Sequence, residues 1–179
     1  MKSDATARYD AVAKSLHWFI ALILIPMLFF GGDLIKVRDG TTTLPSLHVT
    51  IGVGILVLSV LRLVWRLMNP PPPLPATMAG WERAGSRAGH YAFYALMLGL
   101  PITGWLALPG LIARHAEMAG LKIFGVFGVP GAPSLGLAAG GIHDLLGKLG
   151  IALLILHVAA GLKHHFVDRD NVLRRMLPG

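Results

Sequence analysis

The stretch IHDLLGKLGIALLILHVAAGLKHHF, residues 142–166, decides how the chain is read. It is long and apolar enough to cross a bilayer, which takes roughly 20 such residues. Yet it carries His143, His157, His164 and His165. Polar side chains within a bilayer are costly and mark either function or hydrogen bonding between helices. His157 follows His143 by 14 residues, about 21 Å along a helix axis, and His164 follows seven later. At 100° per residue, these steps return to within about 40° and 20° of the starting direction. His143, His157 and His164 therefore form one stripe, with imidazoles at two membrane depths and a third at the rim.

The rest of the chain agrees with a membrane setting. Hydrophobic residues make up 54% and charged residues 14% of the 179, where a soluble domain carries about a quarter charged. The mean hydropathy is +0.64. Lys and Arg number 16 against 9 acids, an excess that in a membrane protein sets topology and meets anionic headgroups. No basic stripe interleaves with aromatics, so nucleic acid is not an expected partner. The chain has no cysteine. That excludes disulfides, thiolate metal sites, iron–sulfur clusters and covalent c-type haem.

Four segments read as spans, over residues 16–35, 47–67, 89–108 and 142–167, predicting an all-α four-helix bundle in one membrane domain, 1–179. The first follows Lys2, Arg8 and Lys14, as a signal peptide would, but its apolar run is span-length and no A-x-A-like site follows it, so it reads as a retained helix. NPPPPLP, 69–75, predicts a stiff extended connector. Residues 109–141, rich in Gly and Pro, predict a mostly irregular segment with one short helix in ARHAEMAGLK. Counting Lys and Arg puts 11 on the side of the two termini and the 68–88 loop, and 5 on the other. Both termini are expected to be cytoplasmic.

These depths pair the histidines across helices. His17 and His157 share the inner half, and His48 and His143 the outer half. Neutral imidazole is a good ligand for haem iron, and a planar macrocycle fits between helices with one His on each face. With both faces filled, electron transfer is the natural task. A zinc site would want four ligands at one depth, and none joins either pair. A proton relay could use the stripe without needing matched pairs. A transporter would be expected to show broken helices at the midplane or symmetric repeats, and neither is visible. Gly52, Gly54, Gly147, Gly150 and Gly161 follow the paired histidines and would leave room for a ring or allow close helix packing. Arg62 and Arg66 share the face of His48 at the opposite depth, where they would meet haem propionates or snorkel to headgroups.

At SLHW (15–18), LHVTIGVGILVLSVLRLVWR (47–66), GHYAFYALMLGLPITG (89–104), IHDLLGKLG, LHVAAGLKHHF and DNVLRRMLP, the chain resembles the bacterial cytochrome b561 family over nearly its whole length. It is most similar to the small di-haem branch that oxidises superoxide and reduces ubiquinone in the bacterial inner membrane. The resemblance implies two haem b groups, the inner held by His17 and His157 and the outer by His48 and His143. It also implies an inner-side ubiquinone site lined by His90 and His164. Arg38, Arg114, Lys122 and Lys148 would attract superoxide to the outer face. The other role the family implies is a haem-bearing membrane anchor, which exchanges electrons between quinone and a partner dehydrogenase or hydrogenase. Lys163 and His165 are weaker quinone-site candidates, and His115 reads as a solvated loop side chain.

Overall fold

A computed structural model describes residues 8–37, 40–75, 77–133 and 136–177. Lys2, counted in the topology, and Arg38, one of the expected steering cations, lie outside the described residues. Four long helices dominate: α1 (Ala11–Leu34), α2 (Thr43–Met68), α3 (Gly80–Ile112) and α4 (Gly136–Phe166). All four contain stretches long and apolar enough to cross a membrane. Helix is the natural answer there, because lipid offers no partner to a free backbone N–H or C=O.

The helices overrun the expected spans, most clearly in α3, which begins nine residues before residue 89. Hydropathy marks the part that can sit in lipid, whereas the helix continues as far as its backbone bonds are satisfied. Glu82 supplies that at the start of α3 by accepting from the Ala79 amide at 3.0 Å. Asp10 does the same for α1, accepting from the Ala13 amide at 2.9 Å. Pro26, Pro101 and Pro109 are accommodated inside helices.

Helix α3 packs most extensively on α4, α1 on α2 and α2 on α3, whereas α1 meets α4 only sparsely. The main core lies among the first three helices, around Ile20, Leu24, Ile55, Tyr94 and Met97. Helix α4 leaves Leu145, Leu149, Ile155, Leu156 and Leu162 exposed, as lipid permits. Its glycine Gly150 is a true close approach. A Cβ there would stand 2.9 Å from Leu28 Cδ2 and 3.1 Å from Leu96 Cδ1, so α1, α3 and α4 converge at this level.

The two ends of the bundle differ. At one end the described terminal segments meet. The Tyr9 amide donates to the Arg175 carbonyl, Trp18 Nε1 to the Met176 carbonyl at 2.8 Å, and Arg175 to Pro73 in the α2–α3 connector. At the other end α3 leads into a 3₁₀ turn (Ala116–Gly120) and a small antiparallel hairpin, β1 (Lys122–Ile123) with β2 (Phe127–Gly128). The 3₁₀ turn falls within the expected short helix. Phe124 and Gly125 turn the hairpin at φ of 52° and 70°, the left-handed pair that matches strand twist. The hairpin docks on α2 through the Lys122 amide to Ser46 Oγ and the Phe124 amide to Thr50 Oγ1.

Candidate functional site

The histidines gather at two levels along α4. Toward the hairpin end, His48 of α2 faces His143 of α4, with ring centroids 6.1 Å apart and planes at 60°. Toward the termini, His17 of α1 faces His157 of α4 at 6.2 Å and 59°. Each pair sets two imidazoles, the commonest side-chain metal ligands, within reach of one shared metal ion.

At the hairpin level, carbonyls on neighbouring helices fix the tautomers. His48 Nδ1 lies 3.0 Å from the Gly31 carbonyl, and His143 Nδ1 lies 2.8 Å from the Leu100 carbonyl. A carbonyl only accepts, so each Nδ1 carries the proton and each Nε2 keeps its lone pair for a metal. Such outer partners orient a ligating ring and raise its basicity. Glycine makes both approaches possible. A Cβ on Gly31 would stand 3.2 Å from His48 Cε1, and one on Gly104 would stand 3.1 Å from His143 Cε1. Thr103 Oγ1 sits 3.4 Å from His143 Nδ1 while donating to the Gly99 and Leu100 carbonyls. Gly31 and Gly104 escaped the sequence reading, because neither neighbours a histidine along the chain.

Of the glycines expected to leave room for a ring, Gly52, Gly54 and Gly147 have no atom within 4 Å of the point a Cβ would occupy, which suits a wide planar group. Gly150 serves helix packing instead, as described, and Gly161 faces Leu173 Cδ1 at 3.8 Å.

The termini level is more crowded. His90 also stands 6.2 Å from His157, and the Phe93 ring stands 5.1 Å from it. The packing of α3 along α4 sets His90 at this level. His164 lies seven residues further along α4, about 10 Å away by helical rise. It is buried at 9% exposure, with Nδ1 2.8 Å from Asp170 Oδ2 and 3.1 Å from Asp168 Oδ2. Lys163 joins this group by ion pairs of 2.6 Å to both Glu82 and Asp168. His165 packs edge-on to Phe166. His115 is exposed in the hairpin-end loop, 3.6 Å from Glu117.

Arg62 of α2 reaches the same level. Its guanidinium stands 3.3 Å from His17 Nδ1 and lies over the Tyr94 ring at 5.6 Å from the centroid. A cavity of about 420 Å³ beneath the hairpin, lined by Leu108, Ile112, Met118, Leu121 and Val129, is apolar and contains no histidine. Among the expected steering residues, Arg114 and Lys122 are exposed, while Lys148 pairs with Asp144 at 2.7 Å.

The donor set therefore fits iron held by paired imidazoles. Residues 8–179 match the family model described as prokaryotic cytochrome b561. Cytochrome b561 homolog 2 of Escherichia coli K12 is 34% identical, covering 98% of this chain and 94% of that protein. The probable superoxide oxidase CybB of Yersinia pestis is 29% identical, with 96% of each covered. Cytochrome b561 homolog 1 of Escherichia coli K12 is 25% identical over 96% of this chain. Paired histidines on membrane-spanning helices and similarity along the whole length lead to one conclusion: the chain is a multi-pass membrane b-type cytochrome of electron transfer and belongs to the prokaryotic cytochrome b561 family.

Proposed function

We propose that the chain, as one membrane domain over residues 1–179, carries electrons from superoxide at the hairpin end to ubiquinone at the termini end. The observation that carries this reading is the pairing of imidazoles at two depths on one helix, both near 6 Å. His48 and His143 would hold one haem b, and His17 and His157 the other. Each haem, when bound, would supply a reversible one-electron couple, and the paired imidazoles would hold it for electron transfer.

The protein's own part is placement and charge. Gly31 and Gly104 let the hairpin-level imidazoles reach backbone carbonyls that fix their orientation. Exposed Arg114 and Lys122 favour approach of an anion to that end. The excess of Lys and Arg at the termini end supports a cytoplasmic side there, in a bacterial inner membrane. There His90 and His164 would line a quinone site, with Asp170 accepting from His164 Nδ1–H to orient its ring. The overall reaction balances as two superoxide ions and two protons with one ubiquinone, giving two dioxygen and one ubiquinol.

The test uses the purified cytochrome with a superoxide source and ubiquinone. Superoxide should reduce the protein in a salt-sensitive reaction and form ubiquinol without any further protein. His164→Ala should keep its haem and slow ubiquinol formation. Inertia toward superoxide, relieved by an added dehydrogenase or hydrogenase, would move the chain to the membrane-anchor role that the same family suggests.

A further inference from the structure

Arg62 poses a contradiction that points to a ligand. A guanidinium has only donors, so beside it His17 Nδ1 must accept. Neutral His17 then carries its proton on Nε2, the nitrogen that a metal would need. If Nε2 is to ligate, the proton moves to Nδ1 and donor faces donor. His48 and His143 meet carbonyls and have no such conflict.

Something must therefore draw Arg62 off His17, and its surroundings say what kind of group. Arg62 is half-buried within a spanning helix, and among the described residues no carboxylate stands within ion-pairing distance of it. A cation at that depth without a counter-charge is expensive. Beside it the Tyr94 hydroxyl is buried and has no hydrogen-bond partner. Tyr94 is 8% exposed, too enclosed for bulk water to serve it. Arg62, Arg66, Trp65, Asn69, Tyr9 and Tyr94 line a small cavity of about 20 Å³, the scale of one carboxylate or water. Two cations, a spare hydroxyl and a cavity describe an anion site.

We infer that Arg62 and Tyr94 form a carboxylate clamp for the haem held by His17 and His157, and that engaging the clamp frees His17 Nδ1 from Arg62. This rests on the proposed ligand pairs. It adds that one end of the protein, and not the other, couples haem seating to the tautomer of its ligand. A phosphate from an anionic lipid has the same chemistry and is the competing source.

The experiment is a redox titration of the purified haem-loaded protein in neutral detergent, with haem per chain measured alongside. For Arg62→Gln, loss of a positive charge beside a carboxylate should make one haem harder to reduce. At fixed potential its reduced-to-oxidised ratio should fall about tenfold, a 59 mV shift for one electron. The other haem should not move. Tyr94→Phe, which removes only the hydroxyl, should shift the same haem in the same direction by about threefold, the scale of one hydrogen bond. Arg62→Lys should restore most of the difference. Unchanged potentials in both Arg62→Gln and Tyr94→Phe would overturn the clamp. A shift that appears only in vesicles containing phosphatidylglycerol, and not in phosphatidylcholine vesicles or detergent, would assign the site to lipid and overturn the haem carboxylate. Wild-type protein without haem would instead sink the ligand pairs themselves, so the two failures are distinguishable.

Discussion

Gly104→Ala tests the hairpin-level site with a single methyl group. The new Cβ would stand 3.1 Å from His143 Cε1 and 3.2 Å from its Nδ1, inside ordinary van der Waals contact. The ring must retreat by a few tenths of an ångström, or Leu100 and His143 must part, and their 2.8 Å bond loosens. Helix propensity works the other way, since Ala in a helix interior is favoured over Gly by about 1 kcal/mol. Folding of the variant should therefore be close to neutral. Metal holding should not be, because losing the outer partner of a ligating histidine costs about 10- to 100-fold in affinity, or 1.4–2.7 kcal/mol. The assay is haem per chain together with a reduced-minus-oxidised spectrum. One of two components should be depleted or shifted while the other persists. Gly32→Ala is the control, as its Cβ would meet nothing within 4 Å. Full haem content and an unaltered spectrum in Gly104→Ala would refute the argument that this glycine exists to seat His143.

Other outcomes follow from the same geometry. His143→Ala should remove the haem of the hairpin level and leave the other, and His157→Ala should do the reverse, read by redox titration; identical losses in both would contradict two separate levels. Asp10 offers a pH test. The Ala13 amide holds its carboxyl below the ordinary carboxylate value of about 3.9, with Trp65 Nε1 adding a bond at 3.1 Å. A depressed folded-state value means stability that is present above the ordinary value and lost as pH falls through the depressed one. Thermal unfolding in detergent should therefore show a loss below about pH 4 that is absent in Asp10→Ala, which at neutral pH should be weaker by up to about 1 kcal/mol.

The legible part of the site was the part that lies along one helix. The 14-residue step from His143 to His157 fixes both a face and a rise, so the two levels on α4 were readable directly. Their partners His17 and His48 came from counting depth into each span, and the structure brings each beside the expected imidazole. His90 opens its span from the same side as His17, so depth sets both at the level of His157, and both rings stand 6.2 Å from it. Depth alone does not say which of the two faces His157 as a partner, because that depends on how α1 and α3 pack against α4.

What the sequence by itself determined is therefore longitudinal: four spans and imidazoles at matched heights, because helical rise and rotation are fixed by the backbone. Only the tertiary structure decided what is lateral. The carbonyls that orient His48 and His143, the glycines that admit them, and the guanidinium of Arg62 against His17 all come from residues distant in the chain. Their distances depend on how side chains pack between helices, which no periodicity within a single helix encodes.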